Sequence, residues 1–272
     1  MRKVILLWMC LLGMSLLRAA DRPFIRIETK TASLIYRVVA DGRLYQCYLG
    51  KKLTHEADLV HLPAGTEAYL THGMKDYFEP AIRVLHNDGN PSLALKYKSH
   101  EQKALAPDVN ETVITLEDEQ YPVTVKLHYT AYVAENVIRT YAEICHAEKK
   151  PVTLYNYASA MLHLDRAAYY LTEFSGDWAS EAHAQEQPLT FGKKVLDTKL
   201  GTRASMFCSP FFVLSLDGPA SENAGDVLVG TLGWTGNFRF TFEVDNEQKL
   251  RLLAGINPYA SEYELKQGEV FR

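Results

Sequence analysis

Two tryptophans stand in glycine-containing turns and have side chains suited to holding a sugar ring. Trp178 follows Gly176-Asp177, and Trp234 lies in the Gly-Trp-Thr-Gly-Asn turn of residues 233–237. A tryptophan in such a turn can offer a rigid flat face to a sugar, and the same side chain can instead cap a hydrophobic core. The turns therefore predict sugar contact at both tryptophans, with core packing as the alternative.

A third candidate is Asp76, in the loop that precedes an apolar segment at residues 81–85. A loop carboxylate can accept a charge-assisted hydrogen bond from a ligand hydroxyl. The alternative is an aspartate that closes a turn by bonding to nearby backbone. Asp76, Trp178 and Trp234 are the substrate-binding residues that we predict, and we assign no catalytic residue.

Histidines and carboxylates supply the pieces of an acid–base pair. The histidines are His128, His163 and His183, and the carboxylates are Glu173 and Glu181. His128 and His163 lie in alternating segments, where a histidine that bonds locally or faces solvent is the simpler interpretation.

Cofactor-binding motifs are missing from the sequence. No C-x-x-C, H-E-x-x-H, phosphate-loop or G-x-G-x-x-G pattern occurs, so zinc, nucleotide phosphate and dinucleotides lose their usual support. We expect no cofactor and no metal. The 29 Lys and Arg residues against 33 Asp and Glu form no basic stripe, which argues against a nucleic-acid partner.

The first twenty residues have the pattern of a secretory signal peptide. Arg2 and Lys3 precede an apolar run at residues 4–17, and Ala19-Ala20 follow it. The run is too short to span a bilayer comfortably. The sequence therefore predicts a signal peptide at residues 1–20 and a mature chain that is periplasmic or secreted.

Alternating apolar segments separated by turn residues indicate an all-β fold. Examples are residues 32–40 and 44–49 around Asp41-Gly42, and residues 112–116 with 123–133. No segment keeps a helical period for more than two turns. The strand count favours one large two-sheet sandwich over residues 21–272.

Two further segments bear on this fold. Residues 228–242 have an alternating strand on each side of the Trp234 turn, and we predict a hairpin there. Residues 173–189 are polar and interrupt the strand rhythm.

A set of motifs, in order along most of the mature chain, resembles the N-terminal domain of family 36 glycoside hydrolases, the bacterial α-galactosidase family. The motifs are residues 73–81, residues 92–101, Gly176-Asp177-Trp178 with Glu181, Pro210-Phe211-Phe212, residues 233–238, and residues 255–258 with 265–271. Two departures are Phe78, where the family has arginine, and residues 205–210, which replace a polar Ser-His-Gln-x-Asn-Pro stretch.

The resemblance implies a galactose-mutarotase-like β-supersandwich that precedes a catalytic (β/α)₈ barrel. In this retaining family two barrel aspartates act as nucleophile and acid/base, without metal or organic cofactor. Both would lie beyond Arg272, so we expect a fragment that is inactive alone. The parent enzyme would cleave α-galactosyl oligosaccharides of the melibiose and raffinose type and form a homo-oligomer. In tetrameric relatives, loops of this domain can rim a neighbouring active site, which suggests a hydroxyl-binding role for Asp76.

Two alternatives come from other classes of protein. Sugar epimerases of the mutarotase type also have a large β-sandwich and use a histidine with a carboxylate, and the ordered motifs favour the hydrolase over them. The other alternative is a non-catalytic carbohydrate-binding or oligomerisation domain.

Overall fold

A computed structural model describes residues 24–74 and 78–272. The predicted signal peptide and Asp76 both lie outside these residues. Within them the chain forms twenty β-strands and two short 3₁₀ helices, Glu56–His61 and Gly201–Arg203. The all-β class predicted from the alternating segments is confirmed.

The first ten strands run through the N-terminal half of the described chain. They are β1 (Ile25–Glu28), β2 (Ala32–Val38), β3 (Leu44–Lys51), β4 (Thr66–Glu67), β5 (Ile82–Leu85), β6 (Leu95–Ala106), β7 (Val109–Asp118), β8 (Val123–Tyr132), β9 (Val137–His146) and β10 (Val152–Tyr157).

The other ten strands complete the chain. They are β11 (Ala160–Asp165), β12 (Tyr169–Asp177), β13 (Ser180–Pro188), β14 (Gly192–Asp197), β15 (Cys208–Ser221), β16 (Ala224–Thr231), β17 (Phe238–Val244), β18 (Lys249–Ile256), β19 (Tyr263–Leu265) and β20 (Val270–Phe271).

Hydrogen bonding divides the described strands among five antiparallel sheets. In spatial order, sheet A is β1-β2-β3-β4, sheet B is β19-β10-β5 and sheet C is β20-β9-β8-β7-β6. Sheet D is β11-β18-β17-β14, and sheet E is β13-β12-β15-β16. Because strands show successive side chains to opposite faces, each sheet can bury one face and leave the other polar.

Two main hydrophobic cores hold these sheets together. The first is built mainly from residues of sheets A, B and C and includes Tyr36 and Tyr129, whose hydroxyls are 2.8 Å apart. The second, built from sheets D and E, surrounds a cluster of aromatic rings with leucines, and we call it the aromatic core. Phe212 of β15 makes edge-to-face contacts with Phe240 and Phe242 of β17, at 5.1 and 5.0 Å between ring centroids. Such contacts add to the stabilisation that comes from burial alone.

The hairpin predicted at residues 228–242 is wrong, although both of its strands exist. β16 pairs with β15 in sheet E, whereas β17 pairs with β14 and β18 in sheet D. Residues 232–237 therefore cross from one sheet to the other. Alternation predicts a strand but not its partner, and here both sheets bury their apolar faces in the same core.

The polar segment at residues 173–189 contains a hairpin that the strand rhythm does not reveal. β12 and β13 pair with each other from Tyr170 to Pro188. Most of β13 is exposed, so its sequence lacks the apolar alternation of a half-buried strand. The turn of this hairpin carries Trp178.

Candidate functional site

The loops at one end of sheets D and E expose a cluster of large apolar side chains. Two strand pairings in sheet D, Asp197 with Arg239 and Phe238 with Ile256, bring the ends of β14 and β18 to the start of β17. In sheet E, Ser175 pairs with Cys208 at the same end. The exposed members of this aromatic end are Trp178, Leu200, Met206, Phe207, Trp234 and Tyr259.

One connecting segment, residues 198–208, joins the two tryptophan turns. The amide of Gly176 donates to the carbonyl of Phe207 at 3.1 Å, beside the Trp178 turn. The amide of Gly201 donates to Oδ1 of Asn237 at 2.7 Å, within the Trp234 turn. The structure thus places the two predicted tryptophans at the same end of the molecule, on either side of this segment.

Trp178 is the most exposed large apolar side chain of this cluster. Its side chain is 87% accessible, and its indole has no hydrogen bond or ring contact within the described chain. The turn beneath it is held by backbone amides, since Oδ1 of Asp177 accepts from the amide of Trp178 at 2.7 Å and Oε1 of Glu181 accepts from that of Ala179 at 3.1 Å. Trp178 therefore does not cap the core, and its face is available for stacking.

Trp234 is less available because its indole lies against its own turn. The residue is 45% exposed, and Nε1 donates to the carbonyl of Asn237 at 3.1 Å. A Cβ added to Gly236 would lie 2.8 Å from the same Nε1. Trp234 thus packs over the turn backbone and keeps only part of its surface for a ligand.

A cation and a thiol lie close to these aromatic residues. Nζ of Lys199 is 5.4 Å from the ring centroid of Tyr259 and 2.7 Å from Oδ2 of Asp197. Burial raises the pKa of the Cys208 thiol, so the thiol stays protonated near neutral pH and is a weak nucleophile. This end of the sandwich can offer stacking surfaces and a cation, whereas its cysteine is unsuited to covalent chemistry.

Asp76 lies outside the described residues, but Phe78 and Glu79, which follow it in sequence, have well-defined contacts. The Arg251 guanidinium lies 3.4 Å from the ring centroid of Phe78, which is buried. The amide of Glu79 donates to Oε2 of Glu243 at 2.9 Å. Phe78, which stands where the family has arginine, is therefore a buried ring packed against the guanidinium of Arg251.

Two of the three candidate histidines form no hydrogen bond or ion pair with Glu173 or Glu181 because they lie in other sheets. His128, in sheet C, stacks on Tyr141 at 4.4 Å, with Nε2 3.3 Å from Oε2 of Glu143. His163, in sheet D, donates from Nε2 to the carbonyl of Glu67 at 2.8 Å. Burial, with a contribution from the Arg251 cation, lowers the pKa of His163 to about 3, so it is neutral at ordinary pH.

His183 lies near both carboxylates but is bonded elsewhere. Its Nε2 is 2.7 Å from the Ser180 hydroxyl. Oε1 of Glu173 instead accepts from Nζ of Lys194 at 2.7 Å and from Nε2 of Gln187 at 3.0 Å. The described residues thus contain no formed acid–base pair from the predicted set.

Residues 24–74 and 78–272 offer neither a cluster of metal ligands nor a membrane-spanning helix. No group of three or more His, Cys, Asp or Glu side chains there is arranged to hold a metal ion. No helix in the same residues is both long and apolar enough to cross a membrane.

Comparison with known proteins agrees with the sandwich architecture. The chain is 27% identical over 288 aligned positions to alpha-galactosidase 1 of Pediococcus pentosaceus, covering 93% of this chain and 39% of the relative. It is 28% identical to alpha-galactosidase AgaA of Geobacillus stearothermophilus, covering 76% of this chain and 30% of the relative. The crystal structure of an AgaA variant in complex with raffinose superposes with a TM-score of 0.84 at 24% identity, covering 92% of this chain and 39% of that one.

The strands and cores define an all-β sandwich domain with an aromatic end. The chain belongs to the glycosyl hydrolase family 36 N-terminal domain family, whose model matches residues 42–266. It spans about two fifths or less of the length of the curated relatives above. The resemblance seen in the ordered motifs is therefore confirmed at the level of the family.

Proposed function

We propose that this chain is the N-terminal, carbohydrate-associated domain of an α-galactosidase that hydrolyses terminal α-galactosyl residues of oligosaccharides. The observation that carries the proposal is the family match over residues 42–266. The names of the curated relatives above, both α-galactosidases, support the activity. The raffinose bound to the AgaA variant supports an α-galactosyl oligosaccharide as the substrate class.

In this proposal, bond cleavage belongs to a (β/α)₈ barrel that follows this domain. Retaining hydrolysis needs one carboxylate to attack the anomeric carbon and one carboxyl group about 5 Å away to protonate the leaving oxygen. The relatives' greater length leaves room for such a barrel. The domain itself contributes loops, and the histidines and carboxylates that an epimerase would use are engaged elsewhere.

Within the domain, we assign the strongest sugar contact to Trp178. Its exposed indole can stack on a sugar ring without leaving any partner in this chain. Trp234 contributes a smaller surface because its Nε1 is bonded to Asn237. Asp76 supplies a carboxylate for a sugar hydroxyl, supported by its place in the family motif at residues 73–81.

The proposal includes a location and an assembly. The pattern of residues 1–20 supports export to the periplasm or the medium. A homo-oligomer is proposed from the family resemblance, in which loops of this domain meet the active site of a neighbouring subunit.

The test is hydrolysis of p-nitrophenyl α-galactoside by the purified 272-residue chain and by the product of the same reading frame with whatever follows Arg272. We expect the short chain to be inert and the extended product, if it contains a barrel, to be active. Turnover of a sugar by the short chain alone would contradict the division of labour proposed here.

The sugar contacts are tested separately on the extended, active protein. Trp178→Ala should raise the KM for raffinose more than Trp234→Ala does, with kcat changed less than KM, since stacking binds substrate rather than transition state. Phe191→Ala is a matched control because Phe191 is 68% exposed but does not belong to the aromatic end. Equal effects of all three substitutions would remove Trp178 from the proposed site.

A further inference from the structure

A small cleft lies on the face of sheet D that points away from the aromatic core. It has a volume of about 40 Å³ and is open on one side. Residues 79–81 and the end of β10 pass over β17 and β18 here, and the polar side chains Asn156, Arg239 and Thr241 line it. Arg239 and Thr241 alternate with the buried Phe238, Phe240 and Phe242 along β17, so they point to the opposite face.

Arg239 lacks a partner in this cleft. Its Nε is enclosed and has no hydrogen-bond acceptor, and no ion pair of its guanidinium occurs within the described residues. A guanidinium carries five N–H donors and cannot lose its charge. An enclosed donor without an acceptor costs free energy that a ligand acceptor would recover.

Two carboxylates beside Arg239 are bonded to other partners. Asp197 is its neighbour across β14 and β17, and Oδ2 of Asp197 accepts from Lys199 at 2.7 Å and from Asn257 at 3.2 Å. Glu79 lines the cleft, and its Oε1 accepts from Nζ of Lys193 at 2.5 Å. The side-chain hydrogen bond to Glu79 raises the pKa of Lys193. The lysine therefore stays charged and keeps its ion pair with this carboxylate.

The donors and the small volume of the cleft favour a small anionic group that accepts hydrogen bonds. Arg239 offers only donors, and Asn156, which also lines the cleft, carries an amide group with two further N–H donors. A volume of about 40 Å³ has room for roughly three water-sized groups. That is the size of a carboxylate group, whereas ligand pockets for larger molecules run to about 300 Å³ or more.

We propose that this cleft binds a carboxylate group, supplied by a small carboxylic acid or an acidic side chain, through Arg239 and Asn156. A planar carboxylate matches the planar fork of a guanidinium and can accept two parallel hydrogen bonds from it. The site is independent of the sugar contacts proposed above, since it involves neither Trp178 nor Trp234.

The test uses acetate as the probe and sodium chloride at the same ionic strength as the reference. In protein labelled with ¹⁵N-arginine, the enclosed Nε–H of Arg239 is assigned as the signal that disappears in Arg239→Gln. We expect acetate to shift this signal saturably and chloride to leave it in place. We also expect acetate to raise the Tm of the wild type by mass action and the Arg239→Gln substitution to weaken acetate binding about tenfold or more.

Two further variants separate the site from general effects. Arg203→Gln removes an exposed arginine at the aromatic end and should leave acetate binding unchanged. Asn156→Asp puts a carboxylate into the cleft wall; it should raise the Tm in chloride and abolish the response to acetate, a result that does not depend on Arg239→Gln folding.

Three results would overturn the proposal. One is an Arg239 signal that does not respond to acetate. Another is equal stabilisation by acetate of the wild type and of Asn156→Asp. The third is phosphate shifting the Arg239 signal at lower concentration than acetate does, because the cleft would then select a tetrahedral anion rather than a carboxylate.

Discussion

The two tryptophan turns both contain glycine but present their indoles differently. Trp178 is 87% exposed, whereas Trp234 is 45% exposed and donates from Nε1 to its own turn. The Trp178 turn closes a hairpin within sheet E, so it projects beyond the core. The Trp234 turn crosses between sheets E and D, and its backbone must fold back to enter β17. The more exposed tryptophan therefore lies in the turn that closes a hairpin, and the less exposed one lies in the crossing between two sheets.

The Trp234 turn, whose indole is less exposed, is also the more firmly anchored of the two. Asn237 accepts three hydrogen bonds in the Trp234 turn, on Oδ1 from Gly201 and on its carbonyl from Asn257 and Trp234. The Trp178 turn is held mainly by exposed carboxylates that accept from the amides of its own residues. Exposed local contacts of this kind contribute little stability, so the Trp178 turn is the less rigidly tied of the two.

The largest expected effect comes from adding a methyl group at Gly176, beside the Trp178 turn. In Gly176→Ala the new Cβ would meet backbone atoms, Ser180 O at 2.7 Å and Cα of Glu181 at 2.8 Å. The backbone of a paired strand cannot easily move aside, so we expect the free energy of unfolding to fall by about 1–3 kcal/mol. Urea unfolding followed by circular dichroism measures this.

Gly236→Ala is the matched variant in the other turn. Its Cβ would meet atoms of the Trp234 indole at 2.8–3.0 Å, and a side chain can rotate away. We expect a loss below about 1 kcal/mol and a change in Trp234 fluorescence. If Gly236→Ala costs as much as Gly176→Ala, the indole is fixed and the contrast between the turns is smaller than the structure shows.

The next effect tests Asn237 as the anchor of the Trp234 turn. Asn237→Ala removes the Oδ1 acceptor for the Gly201 amide, and we expect a loss of about 1 kcal/mol. Asn223→Ala, in the exposed β15–β16 connection, is the control and should change the stability by less than about 0.5 kcal/mol. If Asn223→Ala lowers the free energy of unfolding as much as Asn237→Ala does, Asn237 is not a specific anchor of the turn.

Local pattern predicted the strands well where each strand buries one face. The alternation at residues 123–133 matches β8, and the Asp41-Gly42 turn joins β2 to β3 with Gly42 at a φ of 90°. A positive φ of this kind favours glycine, which is why the dipeptide was informative.

Pairing and exposure could not be predicted because they depend on residues distant in sequence. The strand at Phe238–Val244 was evident, but its partners Gly192–Asp197 and Lys249–Ile256 were not. The exposed β13 has no apolar alternation to detect. Arg239 gave no signal in the sequence because its importance lies in an enclosed Nε without an acceptor, which depends on which neighbours engage Asp197 and Glu79.

The smallest expected change in stability is that of Trp178→Phe, which belongs to a direct comparison of the two indoles. In protein with Trp8 replaced by Phe, acrylamide should quench Trp178 more strongly than Trp234, as measured in single-tryptophan variants. Trp178→Phe should change the free energy of unfolding by less than about 0.5 kcal/mol, because the exposed indole has no partner in the described chain. Trp234→Phe loses the Nε1 bond to Asn237 and should cost about 0.5–1.5 kcal/mol. Equal quenching would mean that Trp234 leaves its turn in solution, and both tryptophans would then be equally available to a sugar.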